Sequence, residues 1–329
     1  MKIAFAGAGY IIDIHAQAAR LQKGVELVAL VNRSSIKADA LAQKYEIKQQ
    51  YETVEQLLNA GGVDALVVGT PNYLHAPQTI AALNAGVNVM VEKPMAMDAG
   101  EAHQMLEASQ RSGAILMVAH CFRFDPEVLW LRHQVELGRL GNIIRTKGYG
   151  IHQLWGPSGW FTEARYAGGG AMADMGVHAL DTVRFLLGDP EPVSVYARIG
   201  TYYTHADVDD TGIMIVNWDN NAVSYIESGW WQTHADGPNA ATQLYGDNAF
   251  GQLFPTYIQV NEIKEDPGFT YPRIQHMPQS LYNNQMKYFI DCVRNHINPN
   301  PGAVEGWTNM KVIDAAYQSA KIGSVVRVG

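Results

Sequence analysis

Residues Lys2–Gly9 read Lys-Ile-Ala-Phe-Ala-Gly-Ala-Gly, a short apolar run followed by two glycines that one alanine separates. The run has the length of a buried strand, and the glycines mark a tight turn out of it. Beyond the turn, apolar residues from Ile11 to Leu21 recur at helical spacing until Gly24. A strand, a Gly-rich turn and a helix in this order predict the first unit of an alternating α/β domain.

The same alternation continues to about residue 120. Further buried strands are predicted at Val25–Val31, Val63–Gly69, Val87–Val91 and Ile115–Ala119. Helices are predicted at Ile36–Tyr45, His75–Asn84 and Asp98–Ser112, with Asp98 as the N-cap. Continuous apolar strands that alternate with helices predict a doubly wound parallel sheet of the Rossmann type, over residues 1–120.

Residues 121–329 have a different pattern, which predicts an α+β domain with an open, mainly antiparallel sheet. After a helix at Asp125–Leu137, strands are predicted at Ile143–Tyr149, Val193–Thr201, Thr211–Asn217, Ala222–Trp231, Thr242–Tyr245 and Tyr257–Val260. Helices follow at Ser280–Asn295 and Glu305–Ile322, and a strand-like stretch at Ser324–Val328. Packing of the C-terminal helix back on the first domain stays open at this point.

Composition excludes several classes of protein. The chain has 329 residues, of which 47% are hydrophobic and 17% charged, so it is globular and long enough for two domains. A net charge of −8 argues against nucleic acid as a partner. No secretion signal or membrane-spanning run is found. Cys121 and Cys292 are the only cysteines, so we expect a cytoplasmic protein without a disulfide framework.

The turn after the first strand predicts a dinucleotide site. Gly7 and Gly9 open the first helix, where backbone N–H groups approach a pyrophosphate, and Tyr10 and Ile11 follow them. The usual third glycine is replaced by Ile12, whose bulk is expected to push the helix and the strand apart.

The end of the second strand predicts which dinucleotide binds. Asn32 is neutral where NAD-specific proteins carry an acidic residue, and Arg33 and Ser34 suit a 2′-phosphate. We therefore predict NADP as the cofactor. The alternative is a solvated polar turn, which leaves NAD acceptable.

Polar residues also follow the next two strands. Thr70-Pro71-Asn72 forms a turn into a helix that starts near His75, and Glu92-Lys93-Pro94 ends the strand after it. A lysine at this edge of the sheet can donate a hydrogen bond to a substrate oxygen and stabilise alkoxide charge. The alternative is an ordinary exposed surface lysine.

Gly168–Gly188 combines a triple glycine with a helix that carries three titratable residues. Asp174, His178 and Asp181 are spaced to share one helix face, where a carboxylate can orient an imidazole for proton transfer. A surface pair or a core contact is the alternative, and a metal site is disfavoured because no further ligands lie nearby. We predict no metal.

These motifs, in this order, resemble the family of glucose–fructose oxidoreductase, inositol dehydrogenase and MocA across nearly the whole length. The resemblance implies that Lys93, Asp174 and His178 are catalytic and that the Lys93–Pro94 bond is cis. It further implies that the cofactor is lined by Thr70, Pro71, Asn72, His75, Glu92 and Lys93. The family often has Trp-Arg before the triple glycine, where this chain has Trp160-Phe161.

The resemblance also implies homo-oligomers, a dimer or tetramer, that form through the open face of the second sheet. The large aromatics Trp218, Trp230 and Trp231 are expected to be buried on that face. Candidates for substrate contacts are Lys93, Arg123, Tyr149, Trp155, Trp160, Arg165, Asp174 and His178, with His152 as a further polar candidate.

Together these features predict an NAD(P)-dependent oxidoreductase acting on a secondary alcohol, or the matching ketone, of a sugar or cyclitol. Lys93 from the first domain and the Asp174–His178 pair from the second are expected to converge on one carbon in a cleft between the domains. Two alternatives stay open: a redox-neutral glycosidase or epimerase with tightly held cofactor, and a non-enzymatic, dinucleotide-sensing regulator.

Overall fold

The computed structural model describes residues 1–33, 35–233, 240–260, 268–273 and 276–329. These form two compact units. The first comprises Met1–Cys121 and Met277–Trp307, and the second Phe122–His276 and Thr308–Gly329. Met277–Trp307, which lie in the predicted second domain of residues 121–329, belong to the first unit.

The first unit contains the predicted parallel sheet. Its six strands, in the order β3-β2-β1-β4-β5-β6, are β1 Lys2–Ala6, β2 Glu26–Val31, β3 Gln49–Tyr51, β4 Ala65–Val68, β5 Asn88–Val91 and β6 Leu116–Val118. All pairings are parallel. The sequence analysis missed β3, because its edge position leaves Gln49 and Gln50 exposed and the strand has no apolar run.

Helices flank the strands of this sheet. They are α1 Tyr10–Arg20, α2 Ser35–Tyr45, α3 Val54–Ala60, α4 His75–Asn84 and α5 Ala99–Ser112, with α9 Pro278–Asn295 from the later segment. The predicted cap is confirmed, since the Asp98 carboxylate accepts a hydrogen bond from the N–H of Glu101 at 2.8 Å. The short helix α3 was not predicted.

Ile12 lies in the core, where the chain compensates for its bulk at another position. The side chain of Ile12 is fully buried, and it packs against Gly69, just after β4. A Cβ on Gly69 would lie 2.7 Å from Ile12 Cδ1. Gly7 has a left-handed φ of 107°, and a Cβ there would lie 2.6 Å from the Gly69 carbonyl oxygen. A glycine directly after β4 thus replaces the glycine that α1 lacks.

Gly69→Ala is expected to destabilise the chain by about 1–3 kcal/mol, because the added methyl overpacks this contact. Ile12→Val removes the Cδ1 atom that the methyl of Gly69→Ala would meet. Alone, it is expected to lower the free energy of unfolding by about 0.5–1.5 kcal/mol. In the double variant, the loss in free energy of unfolding should be smaller than the sum of the two single losses. Denaturant unfolding measures all three variants. Gly9→Ala is the control, since a Cβ there meets no atom within 4 Å. Strict additivity of the two losses would contradict the proposed compensation.

The second unit contains a nine-stranded sheet in the order β14-β13-β12-β11-β7-β10-β9-β8-β15. The strands are β7 Ile143–Gln153, β8 Pro192–Gly200, β9 Thr211–Trp218, β10 Val223–Gln232, β11 Ala240–Gly246, β12 Ala249–Leu253, β13 Tyr257–Val260, β14 Phe269–Thr270 and β15 Val326–Arg327. Every pair is antiparallel except β7 with β10. The mainly antiparallel prediction is thus confirmed, although β12 and β14 were not predicted.

Helices α6 Pro126–Glu136, α7 Ala164–Ala167 and α8 Val177–Leu187 also belong to this unit, and α10 spans Ala303–Ile322. The helix α8 packs against one face of the sheet, where β7 carries glycines instead of side chains. A Cβ on Gly148 would lie 2.8 Å from Val183 Cγ2, and one on Gly150 would lie 2.6 Å from the Met175 carbonyl oxygen. These two glycines let the helical segment lie close to β7.

The positions of two tryptophans differ from the prediction that they are buried on the open face of the sheet. Trp218 is buried in the same cluster as Leu180 and Val183 of α8, and the fully buried Trp230 donates to Asp174. Both therefore face the helices and not the open face of the sheet. Trp231 is half-buried and adopts a left-handed φ of 54°, where the register of β10 shifts.

Candidate active site

The segment Gly168–Gly188 begins with a helix of unusual shape. Met172–Gly176 form a π-helical turn, and α8 follows directly. A Cβ on Gly170 would lie only 1.8 Å from the Asp209 carbonyl oxygen, so the bare backbone is required for this approach. The triple glycine thus brings the start of the helix against Asp209, a residue distant in sequence.

The carboxylate of Asp209 caps this helix start from outside. It accepts from the N–H groups of Gly170 and Met172, each at 2.8 Å, and from the Tyr317 hydroxyl at 2.7 Å. Burial raises the pKa of Asp209, although these hydrogen bonds oppose the rise. The sequence analysis missed Asp209, because no local pattern links it to the triple glycine.

Asp174 and His178 are half-buried on the otherwise buried helix. Asp174 Oδ2 accepts a hydrogen bond from the indole N–H of Trp230 at 3.1 Å. The ring of His178 meets the ring of Phe122 edge-on, with the centroids 5.3 Å apart. The Trp230 indole thus holds Asp174, and the Phe122 ring holds His178, at the surface of this unit. Both side chains were predicted to be catalytic.

His178 lines a small recess in the second unit. The lining residues are Phe122, Tyr149, His178, Ala179, Thr182, Ala240, Ala241, Thr242, Leu253 and Phe254. Most of them are apolar, so the imidazole and the Tyr149 side chain are the titratable groups of this recess. The structure therefore brings together two predicted substrate residues, His178 and Tyr149.

Asp181 does not share the face of Asp174 and His178. It is buried, and its carboxylate accepts from Arg123 Nε at 2.8 Å, from Arg123 Nη2 at 2.7 Å and from Asn309 Nδ2 at 2.8 Å. His178 and Asp181 both follow the π turn, and three residues of α-helix place Asp181 about 60° around the helix from His178. Asp181 thus lies on the side that packs against Arg123 and Asn309. The expectation of one shared face is wrong for Asp181.

The structure also bears on the prediction that Arg123 contacts a substrate hydroxyl. Its buried guanidinium binds Asp181 and, at 2.9 and 3.1 Å, the two carboxylate oxygens of Asp189. Burial alone would lower the pKa of Arg123, but the two carboxylates raise it above its usual value. A guanidinium held in this way has a structural role, and the structure favours that role over the predicted contact with a substrate hydroxyl.

The aromatic candidates form two stacked pairs. The Trp155 indole is 50% exposed and stacks on His152, with 3.6 Å between centroids. His152 lies opposite Trp230 in the β7–β10 register, so this pair is next to the indole that binds Asp174. Trp160 stacks on Phe161 at 3.8 Å.

Arg165 is exposed and pairs with Glu163 at 2.7 Å, with its guanidinium 4.4 Å from the Tyr166 ring centre. The pair with Glu163 raises the pKa of Arg165. These contacts hold Arg165 within its own short segment, near α7.

In the first unit, the predicted cofactor residues follow strands at one edge of the sheet. The strand order reverses between β1 and β4, and parallel sheets bind ligands outside the carboxyl ends at such a point. Residues at these strand ends are Gly7, Gly9, Asn32, Arg33, Thr70, Pro71, Asn72, Glu92 and Lys93. Tyr10 is exposed at the start of α1, and Ile11 is half-buried next to it. Ser34 lies outside the described residues.

The Lys93–Pro94 bond is cis, as predicted. Glu92, predicted to line the cofactor, is buried instead, with Oε1 2.7 Å from His15 Nε2 and Oε2 accepting from the Lys93 N–H at 3.1 Å. Burial alone would raise the pKa of Glu92, but the hydrogen bond from His15 lowers it below its usual value. The sequence analysis missed His15.

Models of two domains of one family match the chain. Residues 1–120 match the NAD-binding Rossmann fold of an oxidoreductase family, and residues 128–250 match the Gfo/Idh/MocA C-terminal domain. The chain belongs to the Gfo/Idh/MocA family. In this family's terms, residues 1–120 are its NAD-binding domain, so the predicted family and fold class are confirmed.

Named relatives match along almost the whole chain. D-glucoside 3-dehydrogenase of Escherichia coli is 29% identical, over 100% of this chain and 97% of the relative. The scyllo-inositol 2-dehydrogenase (NAD(+)) of Bacillus subtilis is 25% identical, over 93% and 89%. A solved levoglucosan dehydrogenase in complex with NADH and L-sorbose has a TM-score of 0.92 at 20% identity, covering 100% and 99% of the two chains. The last likeness supports the fold alone.

The described residues contain neither a helix suited to crossing a membrane nor a cluster suited to a metal ion. None of the helices in the described ranges has the length and apolar character needed to cross a membrane. The described part of the chain also holds no group of three or more His, Cys, Asp or Glu residues arranged for a metal ion.

Proposed function

We propose that this chain is an NAD(P)-dependent dehydrogenase that oxidises a secondary alcohol of a sugar or cyclitol, or reduces the matching ketone. The observation that carries the proposal is His178 in the wall of a recess, with Asp174 one turn before it. The NAD-binding domain supplies the other half of the chemistry, with Lys93 at the carboxyl edge of its sheet. The names of the relatives agree with this substrate class.

The residues at the first strand end fit a dinucleotide. The turn at Gly7 and Gly9 is bare, and a Cβ on Gly9 meets nothing within 4 Å, so a pyrophosphate has room to approach. The free N–H groups at the start of α1 then face the phosphates. When bound, the nicotinamide supplies the hydride acceptor or donor for the substrate carbon.

The chain's own residues move the proton and stabilise charge. In the oxidation direction His178 accepts the hydroxyl proton, and the carboxylate of Asp174 stabilises the imidazolium that forms. The Lys93 ammonium donates a hydrogen bond to the same oxygen and stabilises it as alkoxide charge develops.

The substrate candidates that remain are Tyr149, Trp155, Trp160 and Arg165, together with the three catalytic residues. The exposed Trp155 indole suits stacking on the apolar face of a sugar ring, since its stack on His152 leaves half of its surface open. Arg165 suits a hydroxyl or a carboxylate.

A screen of aldohexoses, methyl glucosides and inositols with NAD+ and NADP+, read at 340 nm, tests this function. The expected result is turnover of at least one secondary alcohol, lost in Lys93→Met while cofactor binding persists. Substrate conversion without net absorbance change would support the redox-neutral alternative. Cofactor binding without turnover of any polyol or ketose would support the regulator. The dehydrogenase names of the relatives support neither alternative.

We propose NADP(H) as the preferred cofactor. Support comes from the neutral Asn32 and the exposed Arg33 directly after β2, where an acidic residue would repel a 2′-phosphate. Asn32 is half-buried, and its N–H donates to the Tyr51 carbonyl at 2.9 Å, so the backbone before Arg33 is held in place.

Arg33→Ala is expected to raise KM for NADP+ by about 10- to 100-fold, because a charge-assisted contact to the 2′-phosphate is lost. KM for NAD+ should stay within about threefold, since NAD+ lacks that phosphate. Arg111→Ala, an exposed arginine of the same unit, is the control. A wild-type kcat/KM that favours NAD+ would contradict the NADP assignment.

We also propose a homo-oligomer, a dimer or tetramer, that forms through the open face of the nine-stranded sheet. Large side chains such as Ile215 and Tyr225 lie side by side there, in the β9–β10 register. Multi-angle light scattering of the wild type and of Ile215→Lys tests it, with dissociation of the variant as the expected result. A monomeric wild type would contradict it.

The cytoplasm is the proposed compartment. Both cysteines, Cys121 and Cys292, are free and buried, so the fold makes no use of an oxidising environment. Burial raises the pKa of the Cys121 thiol to about 12, which keeps it inert. Fractionation of the native host, followed by immunodetection, tests the location.

A further inference from the structure

The peptide that carries Lys93 is anchored by a buried carboxylate and a buried imidazole. His15 lies on α1 and is fully buried, and Glu92 is 7% exposed. His15 Nε2 donates to Glu92 Oε1 at 2.7 Å, and the Lys93 N–H donates to Glu92 Oε2 at 3.1 Å. Both carboxylate oxygens of Glu92 therefore bind protein donors.

A second buried histidine contacts the residue that follows Lys93. His75 begins α4, with Nδ1 2.9 Å from the Pro94 carbonyl oxygen and Nε2 2.9 Å from the Thr70 carbonyl oxygen. Two carbonyl oxygens need two N–H donors, and a neutral imidazole has one. Burial lowers the pKa of His75 and so disfavours the doubly protonated ring. The hydrogen bond between His15 and Glu92 has a matched donor and acceptor, whereas a neutral His75 can donate to only one of its two carbonyl oxygens. His15 and Glu92 are therefore the firmer anchor of the two.

Burying an ionised carboxylate at this position costs free energy. An apolar residue with a purely structural role would not have that cost. Burial of a carboxylate requires charge-assisted hydrogen bonds in compensation, and an apolar side chain would fill the same volume without them. The carboxylate, unlike an apolar group, fixes the direction of the Lys93 N–H and faces the Lys93 charge.

We propose that His15 and Glu92 are positioning residues for Lys93, which tie the lysine to the helix that follows the Gly7–Gly9 turn. The inference rests on the proposed function, in which Lys93 stabilises the substrate oxygen. Misplacement of such a group by about 1 Å costs on the order of 100-fold in rate. The bond from His15 thus links the dinucleotide-binding helix to the group that acts on the substrate.

A double-mutant cycle tests this role. His15→Ala, Lys93→Met and the double variant are compared in kcat with methyl D-glucoside or scyllo-inositol, whichever turns over. His15→Ala is expected to lower kcat by about 10- to 100-fold, with the cofactor Kd from NAD(P)H fluorescence within about threefold of wild type. In the Lys93→Met background it should cause no further loss, because its effect acts through Lys93.

Two matched variants complete the test. His15→Gln keeps an N–H that reaches Glu92 and should recover most of kcat, and Glu92→Gln keeps the volume if His15→Ala does not fold. Glu92→Gln is expected to lower kcat without weakening cofactor binding. His103→Ala, a half-exposed histidine of α5 in the same unit, is the control and should match wild type.

The outcomes separate this inference from the proposed function. Equal loss from His15→Ala in both backgrounds, or a cofactor affinity that falls in parallel with kcat, would overturn the positioning role. So would wild-type kcat in both His15→Ala and Glu92→Gln while Lys93→Met is inactive, and that result leaves the proposed function standing. Full turnover in Lys93→Met would remove the proposed function and this inference together.

Discussion

His178→Ala is expected to lower kcat by about 100- to 10,000-fold, the range that a positioned general base contributes. The imidazole is the group in the recess that can accept the hydroxyl proton, and the other lining residues around it are mostly apolar. Because the half-buried ring of His178 contacts Phe122, thermal unfolding of the variant is compared with wild type to separate a folding defect from loss of the base. Steady-state kinetics at saturating cofactor measure the effect.

Two comparisons make the His178 result specific. His133→Ala removes an exposed histidine from a helix of the same unit and should leave kcat unchanged. Asp174→Asn keeps the acceptor for the Trp230 indole but removes the negative charge, so a smaller loss of about 10- to 100-fold is expected. Turnover of His178→Ala within a few-fold of wild type would contradict its role as the base.

Asp181→Ala is expected to destabilise the chain by about 3–5 kcal/mol, the cost of breaking a buried ion pair. The substitution leaves two N–H groups of the buried Arg123 and the amide of Asn309 without their acceptor. Asp189 remains on Arg123 but binds its other edge, and cannot replace both bonds. Denaturant unfolding, monitored by tryptophan fluorescence, measures the free energy of unfolding.

Exposure separates this ion pair from Arg132–Glu136. Glu136→Ala breaks the partly exposed pair with Arg132 and should cost no more than about 1 kcal/mol. Arg123→Met with Asp181→Leu replaces the buried pair by apolar groups of similar size and should recover only part of the loss, because Asp189 loses its bonds to Arg123. A cost below about 1 kcal/mol for Asp181→Ala would show that the network is not a stability element.

Local patterns predicted the elements that are buried and regular. The helix His75–Asn84 and the strand Tyr257–Val260 have the predicted bounds, because strong apolar periodicity ends at clear turn residues. The edge strand Gln49–Tyr51 was missed, because a polar edge strand carries no such signal. Trp230 and Trp231 were both expected on the open face, although successive residues of a strand point to opposite faces, and Trp230 packs on the helix side.

The candidate site was predictable where its residues follow strand ends or share a motif, as Lys93 and His178 do. It was not predictable where contacts join distant segments, as Asp209 joins Gly170 and Glu92 joins His15. The π turn at Met172–Gly176 is the third such case. It lies where Gly170 approaches Asp209 and where Gly150 of β7 approaches Met175, and both contacts join segments that are distant in sequence.

Transfer of deuterium tests the central claim most directly. The substrate found in the screen is labelled with deuterium at the carbon that bears the oxidised hydroxyl. The reduced cofactor is then isolated, and its mass is measured by mass spectrometry. The proposed hydride transfer predicts one deuterium in each molecule of NAD(P)H formed, and slower formation of this product by His178→Ala in proportion to its loss of kcat. Reduced cofactor without deuterium, or conversion of the sugar with no reduced cofactor released, would contradict it.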